Sequence, residues 1–417
     1  MAKLLVEGGH RLGGAVTIHG AKNSALPLLA ATVLVDGCCR LDGCPDLSDV
    51  SAAIDILRHL GCRVTRESGG VIVDAAAVSG GCVPDALMRE MRSSILFLGA
   101  VSARLGRAKM TFPGGCEIGL RPIDLHLSAL RQLGLIIHEE GGTLTCRTNG
   151  RLHGAAITLA FPSVGATENI LLAAATADGT TTVFNAAREP EIVDLCEFLC
   201  ACGARIRGAG ESTLTIEGVD RLTGCTHRVI PDRIETVTYM AAAAVTGGTV
   251  LLKNVCPDHL RSVLPTFEEM GCDVTAWDNE LLMTAPTRLR RVRTIRTLPY
   301  PGFPTDAQAP LMAMTCVAKG TSVFIETVFE SRFKHVGELL RMGANIKVEG
   351  RVAVVEGVET LSSACVECTD LRGGAALVVA ALAAQGTTEI TGLHHLQRGY
   401  ENLADCLRGV GAVITES

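Results

Sequence analysis

Leu60-Gly61-Cys62-Arg63-Val64 decides how this chain folds, because the pattern returns five more times. Its counterparts are Leu133-Gly134-Leu135-Ile136, Cys202-Gly203-Ala204-Arg205-Ile206, Met270-Gly271-Cys272-Asp273-Val274, Met342-Gly343-Ala344-Asn345-Ile346 and Val410-Gly411-Ala412-Val413-Ile414. The six glycines stand 68 to 73 residues apart. A glycine between an apolar helical stretch and a β-prone one reads as a helix cap that turns straight into a strand. A near-constant period marks a repeated supersecondary unit.

Working outward from the caps, the helix before each one is amphipathic. Val50, Ile54, Leu57 and Leu60 share one face, as do Ile192, Leu195 and Leu199. Between these helices runs a second kind, apolar nearly all round: Ala25 to Val35, Ile95 to Leu105, Ile170 to Ala177, Val237 to Val245, Ala309 to Ala318 and Leu371 to Ala384. A helix without a polar face has to be buried. The expectation is α/β, with one inner helix, one outer helix and several short strands per unit. Three units around a shared centre make a domain of about 210 residues, a size one core supports, and six make two.

Composition narrows the function. Of 417 residues 47% are hydrophobic but only 3% aromatic, so the cores must be built from Ala, Val, Leu and Ile. A net charge of −6 argues against nucleic acid as partner. The basic run Arg288, Arg290, Arg291, Arg293 and Arg296 lacks interleaved aromatics and reads as a solvated edge. No apolar run is long enough for a membrane span, and Glu7 comes too early for a signal peptide, so a cytoplasmic protein is expected. Seventeen cysteines, an odd number mostly inside apolar segments, read as reduced thiols. Cys365 and Cys368 form a lone C-x-x-C, and His394-His395 on a strand would point opposite ways; neither suggests zinc. Neither a metal nor a cofactor is expected.

The polar residues gather at helix starts: Lys22-Asn23-Ser24, Arg92-Ser93-Ser94, Ser163 to Glu168, Arg233 to Thr236, Thr305-Asp306 and Thr369-Asp370. Capping explains Ser, Thr, Asp and Asn there. It does not explain Lys22, Arg92, Arg121, Arg332, Arg372 and Arg398, because a cation at a helix start opposes the helix dipole. That anomaly points to an anionic ligand. One loop is built for access. Pro113-Gly114-Gly115-Cys116-Glu117-Ile118-Gly119-Leu120-Arg121 offers a reachable thiol, with Arg121 to favour its thiolate.

With these residues in hand, the chain resembles the enolpyruvyl transferases, specifically the UDP-N-acetylglucosamine 1-carboxyvinyltransferase family, from Leu4 to the C-terminus. The likeness rests on Gly20-Ala21-Lys22-Asn23-Ser24-Ala25-Leu26-Pro27, Pro113-Gly114-Gly115-Cys116, Arg121-Pro122-Ile123-Asp124-Leu125-His126, Ser163-Val164-Gly165-Ala166-Thr167 and Asn185-Ala186-Ala187-Arg188-Glu189-Pro190-Glu191. It continues through Pro231-Asp232-Arg233-Ile234-Glu235-Thr236, Phe303-Pro304-Thr305-Asp306, Glu326-Thr327-Val328-Phe329-Glu330, Thr369-Asp370-Leu371-Arg372 and Arg398-Gly399-Tyr400-Glu401. The chain departs from the family at Phe161-Pro162, where some members place a lysine, at Gln397, and at Gly373-Gly374.

The resemblance implies two inside-out α/β barrel domains of three repeats each. Residues 22–232 would form the one carrying the Cys116 loop, residues 1–21 with 233–417 the other, and the active site would lie in the cleft between them. It implies phosphoenolpyruvate and UDP-N-acetylglucosamine as small-molecule substrates, a monomer or weak oligomer, and release of phosphate by addition–elimination. Lys22, Arg121 and Arg398, with Arg332 and Arg372 nearby, would surround the anionic phosphoenolpyruvate. Cys116 would be the acid and the site of a covalent phosphoenolpyruvate adduct, reactive toward epoxides. Asp306 would be the base, with Asp370 sharing in proton handling. Asn23 and Arg92 would hold sugar and substrate. Pro122, Ile123, Asp124, Leu125, Ser163, Val164, Gly165 and Val328 would complete the binding site. The rivals are the sister transfer to shikimate 3-phosphate, whose family lacks the Gly-Gly-Cys loop, a scaffold paralogue without turnover, and an RNA-end-processing enzyme on a related fold.

Overall fold

A computed structural model describes residues 2–67, 69–114 and 122–417. Its repeat is plainest in the strand Ala156–Thr158, the helix Val164–Ala174, the strand Thr180–Phe184, the helix Pro190–Ala201 and the strands Arg205–Arg207 and Thr213–Glu217. The first strand lies parallel to the second, and the other two join antiparallel. The same order recurs in the four-stranded sheets built on Cys38–Asp42, Thr249–Lys253, Thr321–Ile325 and Thr387–Thr391. In the sixth sheet Arg107–Thr111, Thr143–Arg147 and Ile136–Glu140 supply three strands, and a parallel bridge from Cys82 to Lys109 stands in the fourth place. Two short two-stranded pairings, Val35–Asp36 with Leu222–Thr223 and Leu361–Ser362 with Ala384–Gln385, are separate from these six sheets.

The six caps explain why the glycines recur. Gly61, Gly134, Gly203, Gly271, Gly343 and Gly411 have φ between +86° and +106°, where a side chain is strained. In each, the next residue's N–H reaches back to a carbonyl five positions earlier, as from Cys62 to Leu57 (3.0 Å) and from Ala412 to Leu407 (3.0 Å). This is a Schellman closure, which turns the chain directly into the following strand.

The chain divides into two compact units: residues 2–19 with 231–417, and residues 20–114 with 122–230. Each has its own core. In the C-terminal unit, the helices Arg233–Val245, Thr305–Thr315 and Leu371–Ala383 pack on one another, buried almost throughout. The sheets lie outside them with one face exposed, as the alternation along Val352–Glu356 shows. Small side chains permit this inversion, because Ala-rich helices approach closely enough to fill a core without aromatics. The sheets do not join into a closed barrel among the described residues. Three four-stranded sheets around buried helices make the inside-out α/β arrangement of three repeated units that the resemblance implies.

Each unit is completed by a strand from far along the sequence. Leu4–Glu7 sits between Thr387–Thr391 and Val413–Glu416, antiparallel to both, and Thr226–Arg228 forms the parallel edge beside Cys38–Asp42. No described helix is long and apolar enough to cross a membrane.

Candidate active site

The buried helices surface at their first turns, and the predicted polar residues stand there. Asp370 caps Leu371–Ala383: its Oδ1 accepts the N–H groups of Arg372 (3.1 Å) and Gly373 (3.0 Å). Asp232 caps Arg233–Val245 the same way, and Ser163 Oγ accepts the Ala166 N–H at 3.3 Å. Pro27 and Pro310 occupy the same position in the helices Lys22–Thr32 and Thr305–Thr315. A proline there cannot donate to the carbonyl four residues back, which is that of Asn23 in one helix and Asp306 in the other. Asn23 and Asp306 therefore hold equivalent places in two repeats.

Around Asp306 the C-terminal unit assembles a charged cluster. Arg332 Nη2 donates to Asp306 Oδ1 at 2.7 Å, while Arg372 Nε and Nη2 lie 3.4 and 3.3 Å from Oδ2. Arg332 also donates to the Thr305 carbonyl, and its Nη1 stands 4.0 Å from Asp370 Oδ1. The arginine side chains are only 4% and 2% exposed, that of Asp306 27%. Two guanidiniums thus lie beneath a carboxylate that faces outward. Burial opposes the charge on Arg372, but Tyr400 and Asp306 outweigh it and hold the group firmly cationic. The Arg372 guanidinium lies 5.2 Å from the centre of the Tyr400 ring, a cation–π contact. Tyr400 Oη in turn meets Thr238 Oγ1 at 2.9 Å.

Two further buried residues stand here, Glu326 from a quoted motif but with no role assigned to it, and His335 from none. Glu326 Oε1 accepts the N–H groups of Val328 (2.8 Å) and Phe329 (3.0 Å), and its Oε2 accepts Thr305 Oγ1 (2.9 Å), fixing the loop that holds Val328. His335 is fully buried, and among the described residues neither ring nitrogen has a well-formed hydrogen bond. Burial pushes its imidazole down to about 4, with Arg332 adding to the effect and Asp370 opposing it.

In the N-terminal unit, Lys22 Nζ forms a buried ion pair with Asp49 Oδ2 at 2.7 Å. Ser24 Oγ donates to Asp194, which also meets His227 Nε2 at 2.7 Å, so the turn carrying half-buried Asn23 is anchored from below. Gly165 lies against the His126 imidazole: a Cβ there would come within 2.9 Å of the ring. Asn169 Nδ2 holds that ring at 2.8 Å. Leu125, Val164 and Arg92 are half-buried, Ile123 is buried, and Pro122 and Asp124 are exposed. Arg398 is half-buried at the end of the short 3-10 helix Leu393–Arg398. Cys116 and Arg121 lie outside the described residues.

The structure therefore brings Asp306, Arg332, Arg372 and Asp370 together, and accounts for part of the anomaly of cations at helix starts. Lys22, Arg332 and Arg372 each have a carboxylate partner. One expectation is corrected: His394 and His395 lie in that 3-10 helix rather than a strand, with ring centres 4.1 Å apart. The basic run from Arg288 to Arg296 is exposed as expected. A carboxylate resting on paired guanidiniums can accept a proton from a hydroxyl while the cations hold an adjacent anion.

Comparison with known proteins shows the family. Residues 6–407 match the family model described as EPSP synthase (3-phosphoshikimate 1-carboxyvinyltransferase). Two relatives from Caldanaerobacter subterraneus subsp. tengcongensis, UDP-N-acetylglucosamine 1-carboxyvinyltransferases 2 and 1, are each 50% identical over 414 residues, covering 99% of both chains. The enzyme of that name from Shewanella amazonensis is 46% identical over 414 residues, again 99% of both chains. Among solved structures, the enolpyruvyl transferase NikO from Streptomyces tendae superposes with a TM-score of 0.91 at 26% identity, covering 100% of this chain and 99% of that one. EPSP synthase from Acinetobacter baumannii gives 0.80 at 19% identity over 100% of both chains, a likeness of fold alone.

Proposed function

Because the chain belongs to the enolpyruvyl transferase family, we propose that it transfers the enolpyruvyl group of phosphoenolpyruvate to the 3'-hydroxyl of UDP-N-acetylglucosamine, releasing phosphate. This is the first committed step of peptidoglycan synthesis and takes place in the cytoplasm. The observation that carries the chemistry is the Asp306 carboxylate presented on the buried Arg332 and Arg372 guanidiniums. The choice of acceptor rests on the full-length relatives named for the UDP-sugar reaction.

In this reading the sugar oxygen adds to C2 of phosphoenolpyruvate as Asp306 takes the hydroxyl proton and Cys116 protonates C3. Phosphate then leaves C2 as C3 gives up a proton, restoring the double bond in the product. Cys116 can instead add its sulfur to C2 as the double bond's electrons take up a proton at C3, giving a covalent adduct. Lys22, Arg121 and Arg398 neutralise phosphate and carboxylate, and Arg332 and Arg372 add positive charge. Asn23, Arg92 and Val328 orient the sugar and substrate. The segment Pro122, Ile123, Asp124, Leu125 and the turn Ser163, Val164, Gly165 hold the nucleotide. Asp370, one oxygen committed to its helix cap, shares in proton handling. No cofactor enters any step.

Asp306→Asn and Arg398→Ala separate the roles. The first should still bind both substrates but turn over at least a hundred-fold more slowly. The second should bind phosphoenolpyruvate about ten- to a hundred-fold more weakly, the loss of a charge-assisted hydrogen bond, with acceptor binding little changed. Calorimetry beside single-turnover rates reads both. Normal turnover by the Asp306→Asn enzyme would remove the base assignment and make Asp370 the next residue to test.

A further inference from the structure

The N-terminal unit holds a second cluster of reactive side chains, unconnected with the chemistry above. The sulfurs of Cys39, Cys202 and Cys225 all lie within 4.8 Å of one another, and those of Cys202 and Cys225 are 3.4 Å apart. Among the described residues no other three Cys, His, Asp or Glu donors converge in this way. We propose that these three cysteines form a thiolate site for a divalent thiophilic cation, with zinc as the ion they fit.

The geometry requires little adjustment. Zn–S bonds of about 2.3 Å in a tetrahedral arrangement place sulfurs about 3.8 Å apart. The Cys202–Cys225 separation of 3.4 Å is close to that value, and all three sulfurs lie within 4.8 Å of one another. Three different elements deliver the thiols. Cys39 sits in the strand Cys38–Asp42, Cys202 directly follows the helix Pro190–Ala201, and Cys225 lies between the short strands Leu222–Thr223 and Thr226–Arg228. Backbone hydrogen bonds fix them: the Arg40 N–H donates to the Cys225 carbonyl at 2.9 Å, and the Thr223 N–H to the Cys202 carbonyl at 2.8 Å. Cys39 and Cys202 are fully buried while Cys225 is half-exposed, which gives the ion an entry side.

Charge selects the ion. Three thiolates around Zn²⁺ leave a net charge of about −1, against about −2 around Cu⁺, and a buried site favours the smaller charge. Cys, His, Asp and Glu supply no fourth donor to the cluster among the described residues, so water fills the remaining position on the Cys225 side. Binding balances simply: three thiols lose their protons to solvent, three metal–sulfur bonds form, and the hydrated ion sheds all but one of its waters.

The test uses the reduced, chelator-treated full-length protein, with cadmium(II) as probe and zinc(II) as competitor. The parent chain should bind one cadmium per chain at this site, with a thiolate-to-metal absorption band of three-sulfur intensity that zinc removes. Cys225→Ser should bind more weakly than the ten- to hundred-fold penalty of losing an outer hydrogen bond, and the band should fall. Cys38→Ser, the exposed neighbour of Cys39, should bind as the parent does. Every other cysteine, Cys116 included, is present in both variants, so the difference reports this cluster alone. Thermal unfolding without metal should be alike in both variants, and enolpyruvyl transfer by Cys225→Ser should match the parent. An unchanged cadmium band in Cys225→Ser would overturn the proposal, and so would a band lost equally in Cys38→Ser.

Discussion

Replacing His335 with leucine should flatten the acid limb of the C-terminal unit's stability. His335 is fully buried beside Arg332 and Asp370, and burial holds its imidazole down to about 4 in the folded chain. Unfolded, the same ring titrates near 6.5. Between these values the unfolded chain binds a proton that the folded chain refuses, so stability is whole above about pH 6.5 and falls as pH drops toward 4. At about 1.4 kcal/mol per unit, the loss between about pH 7.5 and about pH 4.5 is roughly 2–3 kcal/mol. Urea unfolding of the wild-type chain and of His335→Leu at those two pH values reads it directly. The wild type should lose about 2–3 kcal/mol more than the variant over this interval. An equal loss in both chains would show that the folded protein tolerates a charged imidazole here, and the reasoning from burial would fail.

Two further substitutions probe the scaffold. Gly165→Ala would press a methyl to 2.9 Å from the His126 ring, which Asn169 prevents from swinging away. It should cost about 1–3 kcal/mol in thermal unfolding and weaken UDP-N-acetylglucosamine binding by calorimetry; wild-type values for both would show that the turn has room. Gly343→Ala meets no atom within 4 Å but sits at φ +86°, so its cost is backbone strain alone, about 1–2 kcal/mol. A variant as stable as its parent would contradict the capping argument.

The repeat was legible because its cap has one chemical solution: a left-handed turn out of a helix takes glycine, and six such glycines at a near-constant spacing leave little choice of architecture. The buried helices were legible for the same kind of reason, having no polar face to show to water. The pairing of charges was not. Lys22 finds Asp49 on the outer helix of its own repeat, and Arg372 finds Asp306 on a neighbouring repeat, pairings that no local pattern encodes. His335 stands outside every recognisable motif, and its character comes from what packs around it. The adjacent histidines were misplaced because Gly392, at φ +72°, starts a 3-10 turn where the pattern suggested a continuing strand. The cysteine cluster escaped because its members lie on three separate elements, and spacing rules for metal sites look for neighbours along the chain.

Phosphate release from phosphoenolpyruvate, measured with each acceptor in turn, tests the central claim most directly. The account predicts release with UDP-N-acetylglucosamine, in step with the enolpyruvyl ether, and none with shikimate 3-phosphate. Release driven by shikimate 3-phosphate, or tight binding of the UDP-sugar without any release, would contradict it.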